Sequence, residues 1–231
     1  MKILLQKYKK IKAFVFFWQI LLKAKFREIF KKDFFYVIGD SHVQCFQHEF
    51  FKYFHLGPST AYKLGFKKST TKGREKALNT IKKIYKNKRI NIIFVFGELD
   101  TRIHINKAIC EKKISLEKAI IKTVNSYMKF LRYVKNKFPL INMHIFNVLP
   151  QGEEKNIYNF PYYADRKKRT HIAERLNAEL KKQCLENNFK FIYIYDNLID
   201  KAKNRKKEYI YDEVHFNRKI VPFVIKEIKK L

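Results

Sequence analysis

Residues 90–96 read Ile-Asn-Ile-Ile-Phe-Val-Phe and stop at Gly97. A strand with one face in water would alternate apolar and polar residues, whereas a nearly continuous apolar run fits a strand covered on both faces. The same texture recurs at residues 34–38, closed by Gly39, at residues 142–149, closed by Pro150, and at residues 189–195. A shorter run at residues 53–56 precedes Gly57-Pro58. Helical patterns lie between the runs, over about residues 43–52, 73–88, 115–137, 167–187 and 217–230. Strands of this length alternating with helices predict a parallel sheet covered by helices on both faces. In such a sheet ligands bind beyond the carboxyl ends of the strands.

The chain has 231 residues, 46% of them hydrophobic, with 22 Phe and 14 Tyr available for a core. That suits one α/β domain with a short extension. Six Gly and five Pro leave no linker-like stretch. The expected division is residues 1–32 as a basic amphipathic helical extension and residues 33–231 as the α/β domain.

The charge is lopsided, with 51 Lys and Arg against 21 Asp and Glu, formally +30. Anionic partners follow from it: nucleic acid, anionic lipid or an acidic polymer. The lysines run the whole length of the chain, which fits equally a lysine-rich proteome. No nucleic-acid-binding motif is present and the aromatic residues sit in the strand patterns, so nucleic acid is not the expected partner. Residues 1–32 carry ten Lys or Arg and a single acid, Glu28. The apolar run there, Ala13 to Leu22, is too short to span a bilayer and is followed by no small-x-small cleavage pattern. Two readings stay open for it: a helix lying on an anionic membrane surface, and a helix docked on the domain. Cys45, Cys110 and Cys184 form no C-x-x-C pair and no His-Glu-x-x-His occurs, so neither metal nor cofactor is expected. Widely spaced cysteines fit a reducing compartment, and the location expected is cytoplasmic, peripheral at the inner membrane surface.

The strand ends collect polar residues: Gly39-Asp40-Ser41-His42, Gly57-Pro58, Gly97-Glu98-Leu99-Asp100-Thr101-Arg102 and, past the last strand, Asp212-Glu213-Val214-His215. Ser41 follows a Gly that closes a strand, where a turn exposes its hydroxyl. A serine hydroxyl needs a base to become a nucleophile. His215 is the candidate base, with Asp212 three residues earlier to hold its tautomer.

In order along the chain, Gly39-Asp40-Ser41, Gly57, Gly97-Glu98-Leu99-Asp100 and Asp212-x-x-His215 resemble the four blocks of the SGNH (GDSL-type) hydrolases over about residues 33–231. The resemblance implies a flavodoxin-like three-layer α/β/α fold and ester hydrolysis or acyl transfer, often on carbohydrates. It implies Ser41, His215 and Asp212 as catalytic residues and the backbone amides of Ser41 and Gly57 as oxyanion donors. The family's third block supplies an Asn as a further donor, and here that slot holds Leu99. The variant Gly-Glu-x-Asp-x-Arg-x-His at 97–104 resembles a subgroup associated with surface-polysaccharide loci. Glu98, Asp100 and Arg102 are then expected either to orient substrate or to pair with one another, with Arg102 the first candidate to replace the missing donor. His42 is expected to line the pocket. The expected substrate is an acylated carbohydrate or another small ester. The alternative that Leu99 favours is a catalytically weak or inactive module that binds glycan or a partner in surface-polysaccharide biosynthesis.

Overall fold

The computed structural model describes residues 2–30, 34–152 and 164–231, so Asp33 lies outside the described residues. Helix α1 spans Lys2–Phe30, β1 Phe35–Gly39, β2 Phe51–His55, α2 Ala61–Leu64, α3 Gly73–Tyr85 and β3 Ile90–Val95. There follow α4 (Ile105–Lys112), α5 (Leu116–Lys137), β4 (Ile141–Phe146), α6 (Arg166–Glu186), β5 (Lys190–Ile192) and α7 (Val221–Ile228). The five strands make one parallel sheet in the order β2-β1-β3-β4-β5. Helices cover both faces, which is the three-layer α/β/α architecture.

The pleat sorts the strand residues between two cores. Ile38, Ile92, Phe94 and Ile145 face one core, packed with Ile81 of α3, Tyr127 and Leu131 of α5 and Leu176 of α6. Val37, Ile93, Val95 and Phe146 face the other, packed with Val43, Phe46, Ile220 and Val224. Both faces being covered is why these strands carry so few polar side chains.

Three sequence expectations are corrected. The stretch 43–52 is no α-helix: a six-residue 3-10 turn, Ser41–Phe46, is followed by β2 from Phe51, two residues earlier than the pattern indicates. The turn stays short because Phe46 must go down into the core, where its ring meets Phe51 and Phe146 at 5.3 Å each. The last strand keeps only Lys190–Ile192, since the chain bends into a 3-10 turn at Tyr195–Leu198. Helices α2 and α4, and a π-helical turn over Asp100–His104, occupy stretches that carry no strong pattern.

Helix α1 docks beside β2 and also presents an uncovered face. Arg27 pairs with Glu49 at 3.1 Å and stacks on the Phe50 ring at 4.0 Å. Glu28 accepts from the Tyr36 hydroxyl at 2.8 Å and from Lys52 at 3.0 Å. Nearer the middle of the helix, Arg218 lies 4.1 Å over the Phe16 ring. Ala24 is buried and Ile20 half-buried, whereas Ile11, Phe14, Val15, Trp18, Leu22 and Phe26 are exposed. Their spacing of three and four residues puts these six on one face, opposite Ile20 and Ala24. No helix among the described residues is long and apolar enough to cross a membrane.

Candidate active site

β1 delivers Ser41 by a turn that only glycine permits. Gly39 sits opposite Val95 in the sheet, and a Cβ at Gly39 would run into the Val95 carbonyl oxygen. The Asp40 amide donates to that same carbonyl at 3.2 Å, and the Asp40 carboxylate accepts from the His42 amide at 3.0 Å. Strand and turn are thereby joined with no slack, leaving the Ser41 hydroxyl partly exposed at the carboxyl end of the sheet.

His215 and Asp212 arrive on one short segment. His215 Nε2 lies 2.8 Å from Ser41 Oγ. On the other side of the ring, Nδ1 lies 2.9 Å from Asp212 Oδ2 and 3.0 Å from Oδ1. The carboxylate also accepts from the backbone amides of Val214 at 2.8 Å and His215 at 2.7 Å. Burial works to raise the Asp212 carboxyl, but the amide of His215, its ring and the amide of Val214 outweigh it and hold the group down at about 2. Asp212 is therefore a carboxylate at neutral pH. The geometry is that of a nucleophile, a base on its hydroxyl and an acid on the far nitrogen of the base.

Gly57 follows β2 with φ +82, a left-handed conformation that glycine adopts without strain. Leu56 N donates to Gly39 O at 2.9 Å, which places the Gly57 peptide beside the turn of Ser41.

The third block divides into separate tasks. Arg102 Nη2 lies 3.2 Å from Glu98 Oε2, and both side chains are about nine-tenths buried. Asp100 points elsewhere: it is fully buried and accepts the amides of Ala61 at 2.6 Å and Tyr62 at 3.1 Å, fastening the first turn of α2 to the end of β3. The three residues thus form one ion pair and one helix anchor rather than a single polar cluster. Leu99, half-buried, occupies the slot with no donor to offer.

His42 lies in the site but not on its surface. Its ring is 4% exposed, with Nδ1 3.2 Å from Asp40 Oδ1, Nε2 3.3 Å from Val214 O and its centroid 5.1 Å from that of His215. The lining role expected of it gives way to a buried contact with the segment that carries the base. His104 lies at the surface as a residue, but its ring is partly shielded from water, and that shielding with Lys107 and Lys63 nearby holds its proton affinity down.

Two contributors carry no sequence signal. Arg205 Nη2 donates to Glu213 O at 2.8 Å and Nη1 to Val214 O at 3.4 Å, so the carbonyls between Asp212 and His215 rest on a buried guanidinium. Asn217 Nδ2 donates to Glu208 O at 3.0 Å and Ile210 O at 3.1 Å, closing the loop from the far side. Nothing marks Arg205 among 51 basic residues. Among the described residues no group of three or more His, Cys, Asp or Glu is placed to hold a metal ion.

No family model and no curated protein sequence matches the chain. Among solved structures it is similar to a GDSL-like lipase from Bacteroides thetaiotaomicron, at 17% identity and a TM-score of 0.56 over 87% of each chain. It is similar also to a Bacteroides fragilis protein assigned as an acylhydrolase, at 15% identity and a TM-score of 0.56, covering 86% of this chain and 85% of that one. A Streptococcus pneumoniae protein described as a platelet activating factor matches over 97% of both chains, at 16% identity and a TM-score of 0.55. The fold is the one these GDSL-type lipases and acylhydrolases share.

Proposed function

We propose that the chain is a serine ester hydrolase or acyltransferase acting through Ser41, His215 and Asp212. The observation that carries this reading is the unbroken line of contacts from Asp212 through His215 to Ser41, at 2.9 and 2.8 Å. Ser41 Oγ attacks the acyl carbonyl as its proton passes to His215 Nε2. The tetrahedral intermediate collapses to an acyl-serine as His215 returns the proton to the leaving alkoxide. Water or an acceptor hydroxyl then resolves the acyl-enzyme by the same two steps in reverse. Asp212 stays ionised throughout and keeps Nδ1–H directed at itself. The amides of Ser41 and Gly57 receive the oxyanion, and the Arg102 guanidinium, three residues past Leu99, is the third donor. The shared fold with GDSL-like lipases supports this reading.

A small acyl ester is the substrate, an acylated carbohydrate first among candidates because of the Gly-Glu-x-Asp-x-Arg pattern. The enzyme works while bound to an anionic membrane, at its cytoplasmic face. Support for this comes from the exposed apolar face of α1, which includes Trp18 and Leu22, at 51% and 64% exposure, on a chain of net charge +30.

Incubation with a fluorophosphonate probe tests the chemistry. Ser41 should be modified, labelling should vanish in Ser41→Ala, and a short-chain acyl ester should be hydrolysed by the same preparation. An unlabelled Ser41 would favour the second reading, an inactive glycan- or partner-binding module, which the loss of the Asn donor at Leu99 supports.

A further inference from the structure

We propose that His42 is a positioning residue: as an imidazolium, it clasps the segment that carries Asp212 and His215 onto the turn that carries Ser41. For its effect on rate the proposal rests on the triad reading above; for its chemistry it does not.

The argument begins with the two atoms that face the ring. Nδ1 lies 3.2 Å from a carboxylate oxygen of Asp40 and Nε2 3.3 Å from the carbonyl oxygen of Val214. Both are acceptors only. A neutral imidazole has one N–H and one lone pair, so one of these contacts would set lone pair against lone pair; the imidazolium donates both ways.

The charged surroundings agree. Burial alone would drive the proton off, but the hydrogen bond and charge of Asp40, the charge of Glu98 beyond β3 and the Val214 carbonyl outweigh it, and His42 holds its proton more tightly than an ordinary histidine. From the catalytic segment the His215 ring faces it at 5.1 Å, and Arg205 shares the Val214 carbonyl at 3.4 Å.

Val214 lies between the acid and the base. Fixing its carbonyl fixes the distance of both from Ser41, since Asp40 and His42 flank that serine in sequence. Loss of the His42 proton breaks one of the two bonds and frees the segment on that side. The enzyme then has an alkaline limb that its triad alone does not explain.

Nitrogen-15 NMR of the full chain with labelled histidine reads the protonation directly. One ring should keep protons on both nitrogens at about pH 7, and its signal should be absent in His42→Gln. The His215 ring signals should shift with the same midpoint in the wild type and lose that shift in the variant. Should His42→Gln fail to fold, Asp40→Asn carries the test, by lowering the midpoint of the His42 ring. A His42 ring with a single proton at about pH 7 overturns the proposal, whether or not any ester is hydrolysed. With p-nitrophenyl acetate, kcat should be about 10²-fold lower in His42→Gln with KM kept, and the alkaline limb should be gone. An alkaline limb unchanged in His42→Gln overturns the positioning role. An absence of hydrolysis in both proteins counts against the proposed activity, and the NMR midpoints still decide the clasp.

Discussion

The Asp100 carboxylate accepts the Ala61 amide at 2.6 Å, across 39 residues of sequence. Burial raises this carboxyl to about 7, against the opposing pull of the Tyr62 and Ala61 amides. The folded chain therefore keeps a proton that the unfolded chain releases near pH 4. Its contribution to stability is full below about pH 4, declines as pH rises, and is lost above about pH 7, a change on the order of a few kcal/mol. Asp100→Asn should lack this slope. Urea unfolding of both proteins at about pH 5 and pH 8 measures it, and a wild type that gains stability relative to the variant over that interval contradicts the assignment.

Asp212→Asn should fold normally, since an amide oxygen still accepts the Val214 and His215 amides. It should lower kcat by up to about 10⁴-fold, because the amide group no longer selects the tautomer that leaves Nε2 free to take the serine proton. Single-turnover kinetics with a chromogenic acyl ester measures this. In the wild type the depressed carboxyl gives the converse: the stability this interaction adds is present above about pH 4 and fades as pH falls towards about 2.

Gly39→Ala should damage strand and site together. The new methyl group meets the Val95 carbonyl, which already accepts the Asp40 amide, so either the β1–β3 pairing or the turn must move. A loss of at least about 2 kcal/mol is expected, with a fall in Tm of roughly 4–8 °C. Fluorophosphonate labelling of Ser41 should slow even in molecules that remain folded.

Trp18→Glu combined with Leu22→Glu should abolish sedimentation with anionic vesicles and leave hydrolysis of a soluble ester unchanged. Both side chains project away from the body, so the variant removes membrane contact without opening the core. Binding that persists in the variant, and falls only with salt, would assign the attraction to the chain's general charge.

Arg102→Ala strands Glu98, which is about nine-tenths buried and has Arg102 at 3.2 Å. A stability loss of about 3 kcal/mol is expected from the unpaired carboxylate. If Arg102 also receives the oxyanion, kcat falls by about 10²-fold or more with KM little changed. A rise in KM alone would make it a substrate anchor instead.

What the sequence discloses and what it conceals divide along the range of the interaction. Runs such as residues 90–96 announce strands because double burial excludes polar residues, and Gly39-Asp40-Ser41 announces a turn because its stereochemistry is local. The 3-10 turn at Ser41–Phe46 is less legible: four of its six residues are buried, and the descent of Phe46 is set by a core to which all five strands contribute. Least legible are Asp100 on α2, Arg205 under Glu213 and Val214, and His42 between Asp40 and Val214. Asp100 and His42 reach partners brought close only once the sheet is formed, the Arg205 contact depends on how the loop past the last strand folds back, and in so basic a chain a buried arginine looks like any surface one.

Asp212 and His215 lie within four consecutive residues, tethered by Arg205, Asn217, His42 and the bridge between Ile210 and Phe216. Such a segment can open without the sheet melting, because its fastenings are a few polar contacts, to the buried Arg205 and His42 among others, and the buried Phe216 ring beside it, while the strands are held by two apolar cores. The arrangement of Ser41, His215 and Asp212 and the global fold are then separate quantities in this protein. On warming, hydrolytic activity should disappear reversibly some degrees before far-UV circular dichroism records any loss of helix or strand.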